Sequence, residues 1–463
     1  MSIITWLNNN IIWDMPMLIL MIGTGTYLTF ITNGVIFTRF GTVMKYTLRT
    51  IFKRYDHQEK GTITPFQAVS TALAATVGTG NIVGVAVAIQ VGGPGAIFWM
   101  WISALIGMVT KYAEVTLAVA YRHRNNKNEI VGGPMYYITK GIGSKTLAYL
   151  FCIFGFLASY GIGNMVQANS LAGGLESVFS IPTWITGIVL AILVGLVIIG
   201  GIGRIARVAE ILVPLMAVLY MSSAVVALMV NASNIPAAFM SIIRDAFTGT
   251  AAVGGFAGST SMYATRIGIA RGVFTNEAGL GSAPIAHAAA HTDHPARQGL
   301  WGAFEVFFDT LIMCTVTALV ILSSGLWTDP NLDGNIISSL AFENAFKGGS
   351  YIVSIGLVLF AFATIIAWYY YAEKCVEFLF GTKGIIPFRI SFAGVVFVGC
   401  VSKLELVWEL ADLLNGMMAI PNLIALIALS GVVRKLTKDF FNDPDRKRLK
   451  NEKFSKYIII KKK

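Results

Sequence analysis

The chain has 463 residues, is 55% hydrophobic and only 13% charged, and has a mean hydropathy of +0.69. This composition is too apolar for a water-soluble multidomain protein and indicates a protein of the lipid bilayer. Most of the net charge of +11 lies after residue 432, so it does not indicate a nucleic-acid-binding surface.

Apolar runs of about 20 residues predict membrane spans, because an α-helix rises about 1.5 Å per residue through about 30 Å of hydrocarbon. They predict an all-α membrane protein with eleven transmembrane helices. The first run lacks a basic n-region and a cleavage site, so we expect a retained span rather than a signal peptide. The spans cover roughly residues 12–37, 65–90, 94–121, 146–178, 182–202, 207–230, 262–292, 299–325, 350–380, 385–401 and 405–432.

The lysines and arginines predict the orientation, because these residues collect in cytoplasmic loops. Lys111 lies inside a span, and nearly all the others fall in alternate loops and in the tail after residue 432. We therefore expect the N-terminus outside, the C-terminus in the cytoplasm, and residues 433–463 as a basic tail near anionic lipid. The exceptions on the opposite side are Arg244, Arg266, Arg271, Lys347 and Lys403.

The second span contains "TVGTGNIVGV" at residues 76–85, where Gly78, Gly80 and Gly84 weaken the helix. Close helix packing is one explanation for such glycines. The other is an unwound segment, which is tolerated at membrane depth only where protein, water or a ligand satisfies the freed backbone groups.

A second interruption favours the unwound segment. The seventh span contains "VFTNEAGLGSAPIAHAAA", with Asn276, Glu277 and Pro284 in an otherwise apolar run. Paired interruptions in two halves of a membrane protein indicate a transporter site near the membrane midplane. With the first span as an accessory helix, the remaining ten form a 5+5 inverted repeat whose first and sixth core helices are broken.

This repeat gives the domain prediction. Residues 1–64 form the accessory helix and a cytoplasmic loop, 65–230 the first five-helix repeat, 231–432 the second repeat, and 433–463 the tail.

The breaks also predict a chemistry. The N–H groups of a half-helix suit the carboxylate of an amino acid, and free carbonyls and hydroxyls suit Na⁺. Compact oxygen ligands are available at Thr76, Thr79, Asn81, Thr275 and Asn276.

Four segments carry a specific resemblance. They are "TALAATVGTGNIVGVAVAIQVGGPGAIFWMWISALIG" (71–107), "VGGPMYYI" (131–138), "GIGNMVQANS" (161–170) and "ARGVFTNEAGLGSAPIAHAAAHTDHPARQG" (270–299). From about residue 12 to 432, the chain resembles the alanine or glycine:cation symporter family, also called the sodium:alanine symporters. The resemblance implies the inverted-repeat fold of the bacterial leucine transporter and Na⁺-driven uptake of small neutral amino acids such as alanine and glycine.

The resemblance also implies a substrate site. "VGTGN" is similar to the unwound first core helix, so the amides of Thr79 and Gly80, with Asn81 beside them, would hold the substrate carboxylate. "VFTNEAGLG" resembles the sixth core helix, with Thr275 and Asn276 beside the ligands and Glu277 at the break. We expect two further side chains, Gln167 and Trp368, to complete the pocket.

For Na⁺, the resemblance implies the carbonyls of Ala74, Val77 and Ala361 and the hydroxyl of Thr364. Ile365 stands where the leucine transporter has a further hydroxyl, so that ligand is missing here. We expect no other metal, no cofactor and no obligate protein partner.

Glu277 and Asp412 are the deepest ionisable groups. Asp412 is left outside the site, since it could instead bond a broken tenth core helix near Gly416 and Pro421. The remaining intramembrane acids are expected near span ends, in salt bridges or snorkelling to the surface. They are Glu114, Glu210, Glu305, Asp309, Glu373 and Glu409.

His287 and His291 are four residues apart, but Ala288 stands where a zinc hydrolase needs glutamate. The sequence also lacks a phosphate-binding loop and a catalytic dyad, so we expect a transporter rather than an enzyme. Three alternatives stay open: proton coupling through Glu277, a preference for glutamine, and an amino-acid-gated channel.

Overall fold

A computed structural model describes residues 3–49, 51, 63–248, 261–329, 332, 334–402 and 405–442, without the side chains of 9, 261, 335, 405 and 406. Parts of the expected loop 39–64 and most of the expected tail 433–463 lie outside these ranges. Within them the protein is nearly all helical, with one short antiparallel hairpin of β1 (His123–Arg124) and β2 (Ile130–Val131).

The helices of the first half begin with two short N-terminal elements. In chain order they are α1 (Ile3–Leu7), α2 (Met15–Ile31), α3 (Val35–Thr38), α4 (Phe40–Leu48), α5 (Pro65–Thr76), α6 (Val85–Gly92), α7 (Gly95–Ala120), α8 (Pro134–Tyr137), α9 (Lys145–Tyr160), α10 (Val166–Phe179), α11 (Thr183–Ile198), α12 (Gly201–Val230) and α13 (Ile235–Thr248).

The second half continues the series. It comprises α14 (Ser261–Asn276), α15 (Pro284–Ala288), α16 (Pro295–Val306), α17 (Thr315–Ser324), α18 (Gly334–Ala345), α19 (Gly349–Phe380), α20 (Ile385–Val401), α21 (Glu405–Ala428) and α22 (Ser430–Asn442). Wider π-helical turns occupy Asn8–Ile12, Gly80–Gly84, Ile138–Ile142, Gly161–Met165 and Phe307–Cys314, and 3₁₀ turns occupy Ala232–Asn234, Leu326–Thr328 and Thr382–Gly384.

Membrane-spanning helices dominate the fold, which confirms a multi-pass membrane protein. Among the described residues, eight helices are long and apolar enough to cross a bilayer, and nine if the bent pair of α5 and 80–92 is one span. The other two expected spans are α11, which has only 16 residues, and the interrupted stretch from α14 to α15.

Six helices lie wholly or mostly outside the eleven expected spans, namely α1, α4, α8, α13, α18 and α22. The start of the predicted tail is part of one of them. Helix α22 packs against α7 and α16, and the hydroxyls of Tyr112 and Thr437 lie 2.9 Å apart. Residues 433–442 are therefore docked on the helix bundle rather than lying free at the lipid surface.

Helix α7 organises the region around the second break. It packs against α2, α14, α15 and α16, and nearly all of its second half is buried. Its buried face carries Lys111 and Glu114, which lie on the same side of the helix because they are three residues apart.

Candidate functional site

The first break follows α5, whose start is fixed by a capping box. The hydroxyl of Thr64 accepts from the Gln67 amide, and the Gln67 side chain accepts from the Thr64 amide. The helix ends at Val77, where ψ is 94°, and the chain resumes at Gly80 with a bend of 54°. The predicted interruption of the second span is therefore present.

Asn81 stabilises this break. Its side-chain oxygen accepts from the Gly78 amide at 2.9 Å, and its side-chain nitrogen donates to the carboxylate of Asp309 at 2.7 Å. The Asn81 side chain is thus used to hold the unwound backbone, whereas the sequence analysis gave it a place at the substrate.

The second break separates α14 from α15. Glu277 has a left-handed φ of 54°, which is unusual for a residue with a side chain, and Gly279 and Gly281 follow with φ of 95° and 84°. The Asn276 side-chain oxygen accepts from the Ala278 amide at 3.0 Å. Like Asn81, Asn276 caps a break.

Side chains from two other helices satisfy the backbone that the second break exposes. Lys111 donates to the Glu277 carbonyl at 3.2 Å, and the Glu114 carboxylate accepts from the Gly279 amide at 3.1 Å. Asn422 of α21 donates to the Gly279 carbonyl at 2.9 Å and to Glu114 at 2.5 Å. Buried backbone groups need such partners in a bilayer.

The two breaks approach each other closely at Gly80 and Thr275. A β-carbon placed on Gly80 would lie 3.0 Å from the methyl carbon of Thr275, which is tighter than nine in ten real contacts of a β-carbon. Glycine at position 80 therefore permits the close approach of the two interrupted helices.

A polar link also joins the breaks. Asp309 and Thr310 lie in the π-helical turn Phe307–Cys314, and Thr310 donates to the Asp309 carboxylate at 2.8 Å. Asn276 donates to the Thr310 hydroxyl at 3.1 Å, while Asn81 reaches Asp309 from the other break. Asp309 is fully buried, so its placement near a span end, with the bland role that implied, was wrong.

The predicted Na⁺ ligand Thr364 lies against the first break. Its hydroxyl donates to the carbonyls of Ala74 at 2.9 Å and Phe360 at 3.0 Å, and it lies 3.0 Å from where a β-carbon on Gly78 would be. Val77 and Ala361 are also buried, on segments adjoining these contacts. The hydroxyl oxygen keeps its lone pairs for a cation while it donates its proton.

Gln167 and Trp368 reach the breaks from the other helices. The Thr79 hydroxyl lies 3.5 Å from the Gln167 side-chain oxygen, and Gln167 donates to the Ile162 carbonyl at 3.1 Å. Trp368 is 2% exposed and donates to the Glu277 carboxylate at 3.1 Å, so it is not part of an interfacial aromatic belt. A β-carbon on Gly163 would overlap the Trp368 side chain, at 2.5 Å.

A buried charged cluster, which was not predicted from the sequence, surrounds the second break. Lys111 pairs with Glu305 at 3.4 Å, and the other oxygen of Glu305 lies 3.1 Å from the Nε2 of His287. Gln298 contacts the remaining ring nitrogen of His287 at 2.8 Å. Glu114 and Glu305 are fully buried, so snorkelling is wrong for both, whereas the salt bridge that was the other expected role is present at Glu305. The i, i+3 spacing of Lys111 and Glu114 was the available signal.

The contacts of His287 bear on the histidine pair noted in the sequence. Both ring nitrogens of His287 are in hydrogen-bond contact, one with Glu305 and the other with Gln298. Among the described residues, no group of three histidine, cysteine or acidic side chains is arranged to hold a metal ion.

Comparison with known proteins shows a family match along nearly the whole chain. The sequence model of the family described as "Sodium:alanine symporter family" matches residues 1–456. The chain is 48% identical to the protein named sodium/alanine symporter AgcS of Methanococcus maripaludis, covering 93% of this chain and 95% of that protein. It is 46% identical to an uncharacterised transporter of Haemophilus influenzae, covering 98% of each chain.

Two other similarities are weaker. A Bacillus subtilis protein named probable sodium/glutamine symporter GlnT is 38% identical, covering 93% of this chain and 89% of that protein. The solved structure of a manganese transporter mutant from Eremococcus coleocola overlays with a TM-score of 0.48 at 12% identity, covering 86% of this chain and 84% of the other.

Proposed function

Because the chain belongs to the sodium:alanine symporter family, we propose that it imports small neutral amino acids, alanine and glycine, together with Na⁺ by alternating access. The family moves its cargo without breaking bonds, so the protein is a transporter and not an enzyme. The relative named as a glutamine symporter keeps glutamine open as the preferred substrate.

The observation that carries this proposal is the meeting of two interrupted helices in a buried polar centre. Gly80 and Thr275 bring the breaks together, and Asp309 with Thr310 joins the residues that cap them. Within the described residues, Asp309 has no basic side chain within ion-pairing distance. A buried carboxylate of this kind attracts a cation, since an unpaired charge in a low-dielectric interior is costly.

For the architecture, we propose eleven spans arranged as an accessory helix plus the 5+5 inverted repeat, in a plasma-membrane protein. The proposed domain bounds are the ones predicted from the sequence, with the two repeats at residues 65–230 and 231–432. Two facts support the pairing: the breaks fall in the first and sixth core helices, and each predicted span coincides with at least one helix. The distribution of lysine and arginine supports an outer N-terminus and a cytoplasmic C-terminus.

In the proposed substrate pose, the amides of Thr79 and Gly80 bind the amino-acid carboxylate. Gln167 lies beside the Thr79 hydroxyl and can contact the same ligand. Thr275 and Glu277 line the opposite break, with Trp368 covering the small apolar side chain. Asn81 and Asn276 act from behind this surface, because their side chains already hold the backbone of the breaks.

The proposed Na⁺ site uses the carbonyls of Ala74, Val77 and Ala361 and the Thr364 hydroxyl. The contact from Thr364 to the Ala74 carbonyl supports it, since two of these oxygens are already neighbours. Na⁺ entry is favoured by the membrane potential, at about 2.3 kcal/mol per 100 mV. One cation can thus support about a fifty-fold amino-acid gradient at that voltage, because about 1.4 kcal/mol is a factor of ten.

Uptake of labelled alanine into proteoliposomes tests the proposal. We expect uptake to require an inward Na⁺ gradient, and Thr364→Val to raise the Na⁺ concentration for half-maximal uptake about tenfold or more, because the variant lacks one oxygen ligand of the cation. Thr24→Val is the matched control, since Thr24 is an equally buried threonine whose hydroxyl bonds within α2.

Three outcomes would select an alternative. Undiminished uptake with choline in place of Na⁺ at fixed pH would reject Na⁺ coupling and favour protons, with Glu277→Gln as the next variant. Conductance beyond stoichiometric flux would favour a channel. Stronger competition by glutamine than by glycine or alanine would reject the proposed preference.

A further inference from the structure

A cavity of about 300 Å³ lies beside the breaks, between the N-terminal segment, α14 and α21. Both charged and aromatic side chains line it. The lining residues are Thr5, Asn8, Trp13, Arg266, Ile267, Ala270, Arg271, Phe274, Trp408, Glu409 and Asp412.

Several polar atoms in this lining are buried without a hydrogen-bond partner in the part of the chain that the structure describes. They are the side-chain oxygens Asn8 Oδ1 and Asp412 Oδ1 and the guanidinium nitrogen Arg266 Nε. Buried polar atoms are normally satisfied, so three such atoms around one cavity indicate a polar ligand. Two of these atoms are hydrogen-bond acceptors and the third is a donor.

Four charged side chains line the cavity, namely Arg266, Arg271, Glu409 and Asp412. Arg266 pairs with Asp14 at 3.2 Å, and Glu409 accepts from the Thr5 hydroxyl at 2.6 Å. Arg271 lies over the Phe274 ring at 5.8 Å, and no described carboxylate is within ion-pairing distance of it. Arg271 and Asp412 therefore offer a cation and an anion to the same space.

The Asp412 carboxylate is held in place by its own helix. Helix α21 runs unbroken through Gly416 and Pro421, so the predicted use of Asp412 at a helix break there is wrong. Trp13 donates to the Asp412 backbone carbonyl at 3.2 Å, and Asp412 lines the cavity.

The cavity adjoins the proposed transport site. Phe274 lines the cavity, and its ring lies 3.8 Å from where a β-carbon on Gly80 would be, while Thr275 contacts the same position at 3.0 Å. Phe274 thus separates the cavity from the meeting point of the two breaks.

We propose that this cavity is a second binding site for a zwitterionic amino acid, occupied before the ligand passes Phe274 to the breaks. Arg271, with Arg266 Nε, binds the carboxylate, and Asp412, with Asn8 Oδ1, binds the ammonium group. Trp13 and Trp408 provide apolar walls for a short side chain. The volume is at the lower end of the range for small-molecule sites, about 300–1,000 Å³. This inference rests on the proposed amino-acid transport and on the outward placement of the N-terminus.

Cysteine labelling tests the site directly. Ala270 lines the cavity, and the four native cysteines are all buried. We expect an Ala270→Cys variant to react with an impermeant thiol reagent added outside, and millimolar alanine to slow the reaction. The protection should persist when Gln167→Leu weakens the inner site, and it should disappear on adding Asp412→Asn. Lactate and ethylamine, which each lack one of the two charged groups, should protect at least about tenfold less well.

Transport kinetics provide the second measurement. Asp412→Asn and Arg271→Gln should each raise the KM for alanine about tenfold with little change in the maximal rate. Matched controls are Glu176→Gln and Lys347→Gln, which remove exposed charges on the same predicted side of the membrane. They should leave KM unchanged.

The outcomes separate this inference from the proposed function. If wild-type protein takes up alanine while alanine gives Ala270→Cys no protection, the second site is rejected and the proposed function stands. If alanine protects but lactate and ethylamine protect equally well, zwitterion recognition is rejected. If wild-type protein takes up no alanine, the proposed function fails.

Discussion

Gly80→Ala tests whether the close approach of the two breaks is needed for transport. The added β-carbon would lie 3.0 Å from the Thr275 methyl carbon and 3.7 Å from its α-carbon. Normal contact between carbon atoms is about 3.5–4.0 Å, so the breaks must separate by several tenths of an ångström. We expect such overpacking to cost about 1–3 kcal/mol, against about 0.4–1 kcal/mol gained by replacing glycine in the unfolded chain.

Gly84→Ala is the matched control, because it lies at the end of the same π-helical turn and a β-carbon there meets nothing within 4 Å. We expect Gly84→Ala to keep its thermal stability and alanine uptake. Gly80→Ala should lower the melting temperature and reduce uptake about tenfold or more, since displaced reacting or binding groups lose affinity steeply.

The double variant Gly80→Ala/Thr275→Ser identifies the cause. Serine removes the opposing methyl group and keeps the hydroxyl, which donates to the Gly272 carbonyl at 2.9 Å. Uptake should recover at least in part relative to Gly80→Ala alone. Equal uptake by Gly80→Ala and Gly84→Ala, or no recovery in the double variant of a folded protein, would refute the steric reasoning.

Three further predictions concern buried and loop charges. Asp309→Asn should weaken Na⁺ activation of uptake about tenfold or more. The thermal stability without Na⁺ should be kept or raised, because the variant removes a buried charge. An unchanged Na⁺ dependence of uptake would exclude Asp309 from cation binding. Lys111→Met should lower the free energy of unfolding by about 3–5 kcal/mol, because the buried Glu305 carboxylate loses its lysine partner, and Lys111→Met/Glu305→Gln should recover part of that loss in thermal denaturation. Burial, together with the nearby charge of Lys140, lowers the pKa of His123 to about 4, so the folded protein favours the neutral imidazole. The stability advantage of wild type over His123→Gln should therefore be full above about pH 6.5 and shrink as the pH falls towards 4. A difference in melting temperature that does not change with pH would contradict this.

The sequence predicted the two breaks because their signal is local. Glycines and small polar residues inside a long apolar run disfavour a continuous helix, and both "TVGTGNIVGV" and "FTNEAGLGS" lie in interrupted segments. The amphipathic helices α13 and α22 were not predicted, because they are apolar on one face only and therefore contain no long apolar run.

The partners of the breaks could not be predicted, because they depend on which helices meet. Asn81 and Asn276 were expected at the ligands for their oxygens, but the fold uses those oxygens to cap backbone amides. Glu114 and Glu305 were given bland roles because their distance from span ends does not reveal the lysine and histidine that surround them. Only their tertiary neighbours identify them as part of the support of the second break.

The hydrogen bonds around the breaks suggest how ligand binding is coupled to movement in the proposed transport cycle. The second break is bonded to α7 by Lys111 and Glu114, so we expect these segments to move together. Three hydrogen bonds join the breaks and α5 to α10 and α19, and they involve proposed ligand residues. They are Thr79 to Gln167, Thr364 to the Ala74 carbonyl, and Trp368 to Glu277.

A ligand that binds these groups competes with the same hydrogen bonds. At the proposed sites, Na⁺ bound to the Ala74 carbonyl would replace the proton that Thr364 donates there, and an amino acid bound at Thr79 would take up the Gln167 side chain. Occupancy of these sites would change the contacts between the breaks and the helices that face them, which is the differential interaction that any ligand-driven conformational change requires. A Thr364→Val protein should accordingly lose the effect of Na⁺ on the accessibility of Ala270→Cys, while Thr24→Val should retain it.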